Sequence, residues 1–189
     1  MKKYPKILVV DDDKRYYEPL KDRAYNGFNL DLVVHEVWEE AESELKRNFD
    51  SFDAIILDGK GKLDQDSKGD DPRHLKKSLQ VLDELKGKGL YIPRFVNTAY
   101  HEVFGVIFKD EKIFIKAKDE EKLFHEILQE INFNDKNRIK ERYPEPFESF
   151  GDNYLPNQVS EKLMSVLLAI ENNKWEKNDF NTLREIIEA

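Results

Sequence analysis

The chain has 189 residues, 39% of them hydrophobic and 12% aromatic, enough apolar side chain for one domain-sized core plus an appendage and too much for a disordered chain. A net charge of −8 disfavours binding nucleic acid or an anionic membrane through the bulk surface. Cysteine is absent, which excludes disulfides and thiolate metal sites, and the opening MKKYPKILVVDDD is too short in its apolar run for a signal peptide or a membrane span, so a cytoplasmic protein is expected.

Along the chain, Ile7-Leu8-Val9-Val10 reads as a first buried strand. Pro19 interrupts the helix expected next, which either starts late, with Pro19 in its first turn, or is kinked. Residues 30–37 (LDLVVHEV) alternate imperfectly as a second strand, and Trp38, Ala41 and Leu45 fall at helical spacing over 38–48. Ala54-Ile55-Ile56-Leu57 is short and rich in Ile, a third strand hidden on both faces. It ends on Asp58, after which Gly59 and Gly61 release the chain into a polar, acidic loop over 59–73, GKGKLDQDSKGDDPR. Asp71-Pro72 then opens a helix carrying Leu75, Leu79, Leu82 and Leu85, closed by Gly87 and Gly89. Residues 93–99 (PRFVNTA) form a fourth strand and 112–116 (KIFIK) a fifth. A helix over 119–131 carries Leu123, Ile127, Leu128 and Ile131 on one side. Beyond it come a polar and aromatic stretch and two amphipathic helices, about 158–171 and 179–188.

Strands alternating with helices argue for an α/β fold with a doubly wound, five-stranded parallel sheet, flavodoxin-like in strand order 2-1-3-4-5, and a small all-α C-terminal extension. The expected organisation is a domain over 1–132, a linker over 133–157 and a helical extension over 158–189. In such a sheet strands one and three are neighbours. Asp11 and Asp12 beyond the first and Asp58 beyond the third would therefore meet at one edge. Clustered carboxylates repel one another, and a hard divalent cation with oxygen ligands, most often Mg²⁺, relieves that repulsion. Thr98 ends the fourth strand and Lys116 the fifth, bringing a hydroxyl and an ammonium to the same pocket. Carboxylate nucleophile, Mg²⁺, hydroxyl and lysine together suit acceptance of a phosphoryl group.

The ordered set KILVVDDD, FDAIILD, VNTA and FIKAKDEEKL, over about residues 5–132, resembles the receiver domain of bacterial response regulators. The resemblance implies that Asp58 is phosphorylated by a histidine kinase or phosphotransfer protein. It implies Mg²⁺ held by Asp12, Asp58 and the backbone carbonyl of Lys60, with Asp11 acting partly through water. Thr98 would move to hydrogen-bond the phosphoryl oxygens, Lys116 would pair with them, and Asp13 would be structural. The module would regulate an attached or separate effector.

Departures from the family are specific. The proline usual after the phosphorylated Asp is missing, and the surplus chain falls in the 59–73 loop, which is therefore expected to carry the larger phosphorylation-dependent change. The chain between Thr98 and Lys116 is short, predicting a stunted fourth helix. Ala117 stands where the family has a cis proline, and a cis bond there would cost about 3 kcal/mol, so trans is expected. Ile113 replaces the family's switch aromatic, with Phe114 beside it. His35, His74, His101 and His125 lack ligand spacing, and the loop acids Asp64, Asp66, Asp70 and Asp71 read as a solvated face. Two other readings stay open: a pseudo-receiver scaffold without phosphotransfer, and a Mg²⁺-dependent phosphatase of the haloacid dehalogenase type. The latter chemistry wants a second acid two residues after the nucleophile, where Lys60 stands. The C-terminal helices carry no basic recognition helix, so no nucleic-acid role is expected.

Overall fold

The computed structural model describes residues 4–66, 73–148, 157–172 and 174–188. Five strands, β1 (Lys6–Val10), β2 (Asp31–His35), β3 (Ala54–Leu57), β4 (Arg94–Thr98) and β5 (Ile113–Ile115), form an all-parallel sheet in the order β2-β1-β3-β4-β5. The central β1 and β3 are buried on both faces, which is why they read as unbroken apolar runs rather than alternating ones. Helices α1 (Lys14–Phe28), α2 (Trp38–Arg47), α3 (Arg73–Gly87), α4 (His101–Ile107) and α5 (Glu120–Arg142) connect and follow them. On one face Leu8, Val10, Ile55, Leu57 and Val96 of the sheet pack with Trp38, Ala41 and Leu45 of α2, Leu75, Leu79, Leu82 and Leu85 of α3, and Phe104 of α4. Each large side chain so buried contributes about 1.5–3 kcal/mol.

Of the two alternatives expected for helix α1, the late start does not occur. The helix starts at Lys14, where the Asp13 carboxylate accepts from the Arg15 N–H at 3.1 Å, and it runs through Pro19 rather than starting late with the proline in its first turn. Buried Tyr17, Leu20 and Ala24 on either side of the proline hold the helix to the sheet, offsetting the missing N–H. Helix α3 closes as its glycines suggest: Gly89 has φ +82°, Leu90 donates to the Leu85 carbonyl and Gly89 to that of Lys86, both at 3.0 Å. Asp71 and Pro72, expected to open α3, lie outside the described residues, as do Asp70 of the loop and Phe150 and Tyr154 further on.

Helix α4 has seven residues, stunted as expected. Helix α5, by contrast, continues past Ile131 to Arg142. The polar composition of 133–142 suggests linker, yet Ile139 is fully buried and Asp135 pairs with Arg138 one turn away at 2.9 Å. Then come α6 (Pro144–Glu148), α7 (Asn157–Glu171) and α8 (Lys177–Ile187). The chain divides into two compact units, Met1–Gln129 and Glu130–Ala189. In the second, Ile139, Val159, Met164 and Val166 are buried, Arg142 pairs with Glu171 and Lys162 with Glu185, and α8 contributes no buried residue. No described helix is long and apolar enough to cross a membrane.

Candidate functional site

Strand register builds the site. Val10 pairs with Leu57 across β1 and β3, so the residues that follow, Asp11 and Asp58, leave the sheet side by side. The Asp58 N–H donates to the Val10 carbonyl at 3.0 Å and the Asp11 N–H to that of His35 at 3.1 Å, which fixes both backbones. Carboxylate oxygens of Asp11, Asp12 and Asp58 lie within 4.8 Å of one another, the only group of three potential metal-ligating residues among those described. The ammonium of Lys116, at the end of β5, bridges two of them, 2.7 Å from Asp11 Oδ2 and 2.7 Å from Asp58 Oδ2.

One ammonium does not balance three acids. Burial pushes the Asp58 carboxyl up to about 6, Lys116 acting against the rise and the Asp11 charge adding to it. Burial likewise raises Asp11 and Asp12. For Lys116, burial alone would lower the ammonium, but the charges of Asp58 and Asp11 outweigh it and leave it raised, hence protonated. Surplus negative charge with only oxygen donors fits a hard divalent cation and no soft metal.

The remaining expected residues surround this cluster. The Lys60 N–H reaches Asp58 Oδ1 only weakly, at 3.4 Å, and the Lys60 ammonium sits 3.9 Å from the centre of the Tyr100 ring. Thr98 is fully buried, its hydroxyl accepting from the Tyr100 N–H at 3.2 Å. A Cβ at Gly59 would stand 2.6 Å from Thr98 Oγ1 and 2.8 Å from the Phe104 ring, so the chain leaving Asp58 can approach β4 this closely only as glycine. Lys116 is followed by a tight turn. Ala117 has φ +62°, a left-handed conformation costing a non-glycine residue about 1–2 kcal/mol, and Asp119 accepts from the Ile115 N–H to close it. No cis peptide occurs among the described residues, so the bond before Ala117 is trans, as expected. Phe114, not Ile113, is the buried member of its pair, 6.2 Å from Phe95.

The loop after Asp58 is better anchored than its composition suggests. Lys62 forms a parallel bridge with Val37, and the Lys62 and Leu63 carbonyls accept from the Trp38 and Glu39 N–H groups at 2.9 and 3.0 Å. Gln65 donates to Glu40 at 2.7 Å, and Asp64 accepts from the Asp66 N–H. Asp64 and Asp66 are exposed, as expected of a solvated face, while Lys62, Leu63 and Gln65 tie the same stretch to the start of α2. His35 is engaged by Glu44 at 2.5 Å, and His74 is buried edge-on to Trp38. Neither joins a metal-ligating group among the described residues.

Two residues at the site carry no strand-end signal. Tyr16, on the first turn of α1, places its ring 4.7 Å from the Lys116 ammonium, and Asn97 of β4 donates to the Tyr16 hydroxyl at 2.6 Å. A buried amide directly after the apolar pair Phe95-Val96 in RFVNT is the one sequence sign of either.

No protein-family model and no curated protein matches the chain. Among solved structures it is similar to a response regulator receiver domain protein from Clostridium thermocellum, with a TM-score of 0.51 and 19% identity over 69% of this chain and 96% of that one. It is also similar to the receiver domain of a Francisella response regulator, with a TM-score of 0.50 and 19% identity over 69% of this chain and 98% of that one. At this identity the likeness establishes the architecture: the five-stranded part of the chain has the receiver-domain fold, and the C-terminal helices extend it.

Proposed function

We propose that residues up to about 132 form a phosphoacceptor module of two-component signalling, acting in the cytoplasm, in which Asp58 takes a phosphoryl group from a histidine kinase or phosphotransfer protein. The observation that carries this reading is the convergence of Asp11, Asp12 and Asp58 within 4.8 Å, with Lys116 bridging two of them from a third strand. The donor set fits Mg²⁺, which Asp11, Asp12, Asp58 and the Lys60 carbonyl would hold, and which would supply positive charge for the phosphoryl oxygens. The carboxylate of Asp58 is the nucleophile: its oxygen bonds to phosphorus as the donor's bond to phosphorus breaks. The Lys116 ammonium then shifts from the carboxylate to the new phosphoryl oxygens, and the Thr98 hydroxyl turns toward them from its contact with Gly59. The module is a signalling switch rather than an enzyme. Its effector is the C-terminal helices or a separate protein, with no role for nucleic acid.

One observation favours the pseudo-receiver alternative: Lys116 already supplies Asp11 and Asp58 with a counter-charge. The phosphatase reading draws no support, since position 60 carries an ammonium turned onto Tyr100 rather than an acid. Intact-protein mass after treatment with acetyl phosphate and Mg²⁺ separates these readings. We expect a gain of one phosphoryl group, dependent on the metal and abolished in Asp58→Ala. Equal labelling of that variant overturns the assignment of Asp58, and an inert wild type with no response to millimolar Mg²⁺ turns the protein into a scaffold.

A further inference from the structure

A lysine that serves two carboxylates and then a phosphoryl group must be held at one point in space, although its side chain is long and flexible. On the carboxylate side Asp11 and Asp58 hold Lys116 at 2.7 Å each. On the other side lies Tyr16, the ring centre 4.7 Å from the ammonium, a distance at which the ring face attracts the cation. The ring is itself anchored. Asn97 donates to its hydroxyl at 2.6 Å, and Asn97 is only 2% exposed. Glu120, 5% exposed and paired with Arg23 at 2.5 Å, faces the same phenol. Burial, with the Glu120 charge adding to it, pushes the phenol far above its usual range, so Tyr16 stays neutral beside the ammonium.

This polar inset is poor core design. Asn97 Oδ1 is buried without a hydrogen-bond partner, and an amide and a carboxylate under the sheet cost more than leucines of similar volume. The arrangement makes physical sense if the ring's position matters more than the stability of its surroundings.

We infer that Tyr16 is a positioning residue for phosphoryl acceptance: held by Asn97, its ring keeps the Lys116 ammonium aligned on Asp58. The inference rests on the phosphoacceptor reading of Asp58. Its test compares Tyr16→Phe and Tyr16→Leu, each with Lys116 intact and with Lys116→Ala, by Mg²⁺-dependent affinity for beryllofluoride, a phosphoryl mimic. A metal-free measurement of the Lys116 ε-methylene proton shifts accompanies it. Tyr16→Leu should weaken beryllofluoride about tenfold and Tyr16→Phe about two- to threefold. Neither should have any further effect with Lys116→Ala. The Lys116 methylene protons should be shielded by the ring in wild type and Tyr16→Phe and return to ordinary positions in Tyr16→Leu. If Tyr16→Leu does not fold, the Tyr16→Phe pair decides. Unchanged affinity in the variants, or equal losses with and without Lys116, overturns the inference and leaves Asp58 as phosphoacceptor. A wild type that takes no beryllofluoride overturns the phosphoacceptor reading instead, and unshielded Lys116 protons would then overturn the positioning as well.

Discussion

The two segments that leave the sheet beside Asp58 are held in opposite ways. The one after β3 is long and acidic, and it is secured by backbone: Lys62 and Leu63 bond to the first turn of α2. The one after β4 is shorter and secured by a few side chains: Phe104, Phe108 stacked on it at the edge of the core, and Glu111 paired with Arg94. Of α4 only Phe104 is buried, while Val103, Val106 and Ile107 are 56%, 69% and 63% exposed. The segments touch where Gly59 meets Thr98 and Phe104. Backbone pairing is indifferent to side-chain identity, whereas the second segment depends on a few side chains, so it is the more fragile to a single substitution.

The largest effect should follow from removing the anchor. Phe104→Ala is expected to cost about 3–5 kcal/mol in urea unfolding, since it empties a fully packed site and leaves α4 with no buried side chain. A loss below about 1 kcal/mol would mean that α4 is held by something else. Next comes the point of contact. Gly59→Ala should cost about 2–3 kcal/mol, because the new methyl meets Thr98 Oγ1 and the Phe104 ring well inside contact distance. Thr98→Ala should recover part of that loss, and additive losses would break the claim that the segments interlock there.

Third is the charge between the segments. With Asp58 protonated up to about pH 6 in the folded chain and near 3.8 in the unfolded one, the native state binds more protons in that window. The stability of the metal-free protein should therefore fall as pH rises from about 4 to about 6.5. Asp58→Asn should flatten most of that slope and stabilise the metal-free protein at neutral pH by on the order of 2 kcal/mol. Saturating Mg²⁺ should do the same for wild type, and a stability that instead rises through this window would contradict the repulsive cluster. The smallest effect sharpens the comparison itself. Beryllofluoride should change amide exchange over 59–66 by about tenfold, more than over 100–116. The reverse pattern would assign the switch to the region around α4 and β5.

How far the sequence reveals these features depends on what kind of group makes them. Strands β1 and β3 are legible because burial on both faces demands consecutive apolar residues, and Asp11, Asp12, Asp58, Thr98 and Lys116 because each lies at or within two residues of the end of a strand. Helix α2 is legible from the spacing of Trp38, Ala41 and Leu45. The extension of α5 is not, since a polar helix with one buried side chain, Ile139, resembles a linker in composition. The passage of α1 through Pro19 depends on tertiary packing that local propensity does not encode. Tyr16 and Asn97 meet across 81 positions of sequence, and only the completed sheet brings them together. The grip of Lys62 and Leu63 on α2 uses carbonyls that every residue type carries, so no sequence signal exists for it.

That grip has a thermodynamic consequence. A helix leaves its first N–H groups without internal partners, and Val37 provides no side-chain cap for α2, so two of those donors depend on a strip of chain that starts four residues after Asp58. The free energy of closing α2 and the free energy of the acid site therefore share a component. Whatever displaces the strip when the charge at Asp58 changes must loosen the start of α2, and a protein that clasped α2 would alter the ease of charging Asp58 by the same amount, because coupling between two sites is reciprocal.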